Sequence, residues 1–124
     1  MAGQRYDGGG IATTVAATRA ASSATLTALT LARLREMRAW GTTTVEIKSG
    51  YELTAAGEQR LLEVARQFTD DVTLLGAHVV PAEYRDQRDA YVALVINEMI
   101  PAARNVARWV DVFCDKGEIG RAHV

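Results

Sequence analysis

The sequence predicts an α/β protein of parallel strands with helices between them. Two observations carry that reading. Three short segments, 42–48, 72–78 and 109–115, are rich in β-branched or apolar residues and read as strands. Each is separated from the next by a helix-length stretch, and connections of that length join parallel strands by crossovers. The order is helix, helix, strand, helix, strand, helix, strand over 124 residues, enough for one modest domain. Parallel strands of this kind belong to an open doubly wound sheet or to a barrel.

The elements follow in order. Gly8-Gly9-Gly10 reads as a loop, since its spacing fits neither a dinucleotide fingerprint nor a P-loop. Residues Ile11 to Ala21 are small and helix-compatible. Ser22 or Ser23 can cap the next helix, where Leu26, Leu29, Leu34 and Met37 fall near one face. Arg33, Arg35 and Arg38 fit its solvent side, and Gly41 suits the position just past its end. The first strand, Thr42 to Lys48, places Glu46 and Lys48 on one face. Thr54 can cap a helix whose apolar stripe is Leu61, Leu62, Ala65 and Phe68, and Asp70-Asp71 makes a turn. The second strand, Val72 to His78, is nearly all apolar, as in strands buried on both faces. A third helix, about Gln87 to Ala103, turns Tyr91, Leu94, Val95 and Met99 to one side, and Pro101 should kink it or begin a new turn. Trp109 to Asp115 is the third strand.

Composition narrows the function classes. Apolar residues make up 48%, charged residues 23%, and the net charge is −1, so neither nucleic acid nor an anionic membrane is an expected partner. No apolar run reaches the roughly 18–20 residues of a membrane span, and the polar, glycine-rich start lacks a signal-peptide core. Cys114 is the only cysteine, which rules out an internal disulfide and fits a reducing cytoplasm.

Chemistry in such folds gathers at the C-terminal ends of parallel strands. Here these ends are Lys48-Ser49-Gly50-Tyr51, Gly76-Ala77-His78 and Cys114-Asp115. His78 closes an otherwise apolar strand; it is either a ligand-reaching imidazole or a buried histidine satisfied by the backbone. Tyr51 offers a phenol that can hydrogen-bond a substrate or cap the core. Lys48 and Glu46 form a salt bridge or a catalytic pair, with the salt bridge favoured. Cys114 reads as packing, because no histidine partners it in sequence. A catalytic metal usually takes about three protein ligands, mostly histidines. With only His78 and His123, and no His-x-His pair, this chain cannot build a histidine-rich site alone.

Four segments together resemble the imidazolonepropionase family of metal-dependent amidohydrolases. They are Gly8-Gly9-Gly10-Ile11 with Thr14 to Ser22, Gly41 to Tyr51, Leu75 to Tyr84, and Val110 to Cys114. The Lys-Ser-Gly-Tyr and Gly-Ala-His motifs in this order are specific; either alone is weak. The resemblance implies a partial (β/α)8 TIM barrel over 1–117, and for the whole enzyme a small accessory β domain. It implies hydrolysis of the cyclic amide bond of 4-imidazolone-5-propanoate to N-formimidoyl-L-glutamate in histidine degradation, with zinc or iron as cofactor and room for a homodimer. Tyr51 and His78 match the family's substrate-contacting tyrosine and histidine, and the glycines 8–10 a loop near the pocket. No metal ligand and no catalytic residue carries over. The family's His-x-His pair and carboxylate-binding arginine would precede residue 1; its later metal histidine, acid and aspartate would follow the last strand. Glu52 departs from the family's glycine, Asp115 from its frequent glutamate, and the turn at Asp70-Asp71 is short.

The expectation is therefore an internal piece of a longer enzyme, inactive alone and prone to aggregate through its open strands. After Gly117 the pattern stops, and residues 118–124 back-translate to a string resembling a common sequencing adapter, so this tail is expected to be non-native. Two other readings stand beside this one. A different cyclic amidohydrolase or deaminase would not need Lys48-Ser49-Gly50-Tyr51. A non-enzymatic half-barrel would form a soluble oligomer by itself.

Overall fold

A computed structural model describes residues 9–114. Gly8, Asp115, His123 and the 118–124 tail lie outside the described residues. The elements are α1 (Gly9–Ala20), α2 (Ser23–Ala39), β1 (Ile47–Lys48), α3 (Ala55–Arg66), β2 (Val72–Ala77), a 3-10 turn (Ala82–Tyr84), α4 (Arg88–Leu94), a π-helical turn (Val95–Met99), α5 (Ile100–Ala103) and β3 (Trp109–Val112). The strands form an open parallel sheet in the order β1-β2-β3, as the α/β reading requires.

Local chemistry sets most boundaries. The Ser22 hydroxyl accepts from Thr25 N–H and opens α2. At the other end Gly41, at φ 93°, donates to Arg38 O while Thr42 N–H reaches Met37 O, the paired bonds of a Schellman stop. Thr54 caps α3 by accepting from Gly57 N–H at 3.1 Å. Pro101 has no N–H to give, and the π-helical turn immediately before it absorbs the mismatch without a break in the helical path.

The core lies on one side of β2. Val72 and Leu74 point into it, against Leu62 and Ala65 of α3 and against Tyr91, Val95, Met99 and Ala103, which recur every fourth residue along the α4–α5 run. Gly76 continues the same face, where an added Cβ would meet the Met99 sulfur at 2.7 Å. The opposite face of the sheet is polar. Lys48 reaches Asp111 at 2.6 Å across β2, and the Thr73 hydroxyl donates to Glu46.

Four expectations are corrected. Gly9 and Gly10 are not a loop; they begin α1. The first strand is two residues long, because β2 begins only at Val72 and offers nothing for 42–46 to pair with; Thr69 bonds Val45 O there instead. In α2, Leu34 is buried but Leu29 and Met37 face outwards, since that helix packs mainly against α3. Cys114 does not pack: it lies two residues beyond β3 and is exposed.

Candidate functional site

Tyr51 sits in the loop that follows β1, and His78 follows β2 directly. Because β1 and β2 are parallel neighbours, the two motifs meet at one end of the sheet. The rings lie 5.6 Å apart between centroids, tilted by 57°. His78 is buried, while Tyr51 is 37% exposed, so the phenol borders solvent and the imidazole lies behind it.

Gly50 makes the approach possible. His78 Nε2 lies 2.5 Å from Gly50 O. A carbonyl oxygen can only accept, so this nitrogen carries the proton. Gly50 has φ 120°, and a Cβ there would stand 2.7 Å from Leu75 O and 3.1 Å from His78 Nε2. Glycine meets both demands, the positive φ and the close contact.

The rest of the loop is held by a residue that the sequence reading passed over. Glu58, in the first turn of α3 and 1% exposed, accepts from Gly50 N–H at 2.6 Å, Glu52 N–H at 2.9 Å and Leu53 N–H at 2.7 Å. Leu53 is the one described non-glycine residue with positive φ, at 57°, and its side chain is buried in the core. The charged acceptor stabilises a conformation that leucine seldom adopts. A signal was present: Glu58 lies four residues before Leu62 and seven before Ala65, so this acid is in phase with the apolar stripe of its helix.

Glu52 is also buried and pairs with Arg60. Arg60 in turn donates to Ala21 O at 2.7 Å and Thr18 O at 3.2 Å, carbonyls in the last turn of α1 and just past its end. Arg19 of α1 donates to Glu52 O at 2.8 Å and pairs with Glu83 at 2.7 Å. That arginine holds the Glu83 carboxyl below the usual carboxylate range. Together these contacts clamp α1 over the motif loop.

Other candidates are not gathered here. Lys48 binds Asp111 more closely than Glu46, which stands at 3.8 Å. All three form an ion network on the open sheet face, which agrees with the structural reading of the Lys48–Glu46 pair. Among the described residues, no three His, Cys, Asp or Glu side chains come together to hold a metal. The donors among the described residues therefore do not fit the zinc or iron that the resemblance implies. Among the described residues, no helix is long and apolar enough to cross a membrane.

No protein-family model matches the chain. It is 56% identical over 117 residues to an imidazolonepropionase of Streptomyces avermitilis, a match covering 94% of this chain and 28% of that protein. It is 55% identical over 124 residues to one of Salinispora arenicola, covering 99% and 31%. Against one of Mycolicibacterium smegmatis it is 51% identical over 117 residues, covering 94% and 30%. The chain spans less than a third of the length of these relatives, and over nearly all of its own length it is homologous to the imidazolonepropionases.

Proposed function

We propose that this chain supplies one wall of the substrate pocket of an imidazolonepropionase. In this reading residues 1–117 form part of a (β/α)8 barrel, and the whole enzyme opens the cyclic amide of 4-imidazolone-5-propanoate to give N-formimidoyl-L-glutamate. The observation that carries it is the meeting of Tyr51 and His78 at the strand ends of a segment about half identical to those enzymes. The barrel reading also draws on the open edge. Val110 and Val112 of β3, with Ile96 and Ile100 beside them, line an apolar groove of about 260 Å³ where a further strand and helix would pack.

Each residue has a defined task. The Tyr51 hydroxyl, at the solvent border, hydrogen-bonds a polar group of the substrate. His78, its Nε2–H committed to Gly50, presents the ring edge and Nδ1 to the imidazolone. The metal's role would be to polarise the amide carbonyl and activate water, from ligands outside this segment. In this reading the whole enzyme works in the cytoplasm.

Replacing the matching segment of the Streptomyces avermitilis enzyme with residues 1–117 of this chain tests the reading. The graft should turn over imidazolone propanoate, and Tyr51→Phe should raise its KM by about tenfold through loss of one hydrogen bond. A folded, metal-loaded graft without turnover would falsify the proposal.

A further inference from the structure

We propose that Glu58 is the positioning residue for the Tyr51–His78 pair. The inference rests on the reading of these two as substrate contacts, and it adds a residue that touches neither substrate nor ring.

The geometry is specific. The three N–H groups bound by Glu58 lie on both sides of Tyr51: Gly50 before it, Glu52 and Leu53 after it. The tyrosine's backbone is thus pinned from both directions to the start of α3. Gly50 also accepts from His78 through its carbonyl, so one residue joins the carboxylate to the imidazole. If the loop moves, the acceptor that fixes the His78 tautomer moves with it. Helix α3 packs on β2, with Leu62 and Leu74 both in the core, so the carboxylate is anchored to the strand that leads into His78.

A loop needing only stability would not require this. Thr54 already caps α3, and burying a carboxylate is costly unless several donors satisfy it. A single rigid, charged acceptor sets three donors at once. That suits a site whose groups must be held within about 0.5 Å. A glutamine in its place has one acceptor oxygen and an NH2 group that would face backbone N–H groups.

The test uses the 124-residue chain and the graft together. In the chain, Glu58→Gln should reduce amide-exchange protection at Gly50, Glu52 and Leu53 by about tenfold or more, leaving Thr73 to Leu75 within about twofold. Ring nitrogen shifts of His78 should change from a pure Nε2–H signature to a mixture of tautomers. If Glu58→Gln does not fold, Glu58→Asp decides, since it keeps the charge one methylene short and should loosen the same three amides. In the graft, Glu58→Gln should raise KM by about tenfold while kcat falls less than about threefold, with Glu58→Asp between. Unchanged exchange and ring shifts, or loosening spread evenly through β2, overturn the proposal, as does an active graft with unaltered KM. Exchange and ring shifts are read without substrate. An inactive unmutated graft therefore sinks the substrate reading alone.

Discussion

The two ends of the sheet contrast sharply. At β1 and β2 the chain closes on itself: Glu58, Arg60 and Arg19 satisfy buried backbone groups within the segment, and Leu53 is sealed in the core. At β3, Trp109, Val110, Val112 and Phe113 are each about half exposed, although all are apolar. The difference teaches that the motif loop is self-supporting and the β3 edge is not. Glu58 is six residues from Glu52 and eight from Gly50, so the backbone of the motif loop is held by near-neighbour chemistry. The edge strand carries a surface suited to contacts that the described residues do not supply.

The largest expected effect strikes the self-supporting end. Gly50→Ala forces a side chain into positive φ and against Leu75 O, and should destabilise the chain by about 2–4 kcal/mol. Urea unfolding would measure it. A loss below about 0.5 kcal/mol would mean that the loop tolerates rearrangement and is not the rigid half of the comparison.

Tyr91→Phe comes next. The Tyr91 hydroxyl donates to Gly76 O at 2.7 Å from a fully buried ring, tying the α4–α5 run to the strand that ends in His78. Burial, with the Glu58 charge as second cause, pushes this phenol well above its usual range, so it stays a donor at neutral pH. Removing it should cost about 1–2 kcal/mol by the same unfolding measurement. No change would show that water replaces the bond.

The edge should respond oppositely. Val112→Lys should change stability by less than about 0.5 kcal/mol yet lower self-association, since a charge on an open strand discourages pairing. Sedimentation over a range of concentrations reads this. A cost as large as that of Tyr91→Phe would mean that the outer face of β3 is already packed.

Legibility followed the same divide. Ser22, Gly41 and Thr54 were readable because a cap or a stop needs a particular residue within a few positions. Tyr51 and His78 were readable because parallel strands bring their ends together. Glu58 was passed over because its partners are backbone N–H groups, which every residue carries and no motif announces. The length of β1 could not be read either: 42–46 have strand-forming side chains, but pairing depends on where β2 begins. Leu29 and Met37 keep helical spacing without burial, because spacing names a face and not what covers it.

The smallest effect belongs to an exposed ion pair that links the two ends. Lys48 and Asp111 bridge β1 and β3 over β2, and both are exposed. The Lys48 hydrogen bond holds the Asp111 carboxyl below its usual range, with Val112 N–H helping; the same bond from Asp111 raises the Lys48 ammonium above its own. The lowered acid contributes stability above the ordinary carboxylate range and loses it as pH falls through its lowered value. The raised lysine contributes below the ordinary ammonium range and loses it as pH rises through its raised value. Asp111→Asn should therefore differ slightly from the parent at neutral pH in low salt and converge with it in acid. At about 1 M salt the two should converge at every pH, because screening there acts over about 3 Å. A difference that persists in high salt would show that Asp111 holds β3 by hydrogen bonding and packing, and the edge would then be less loose than its exposed side chains suggest.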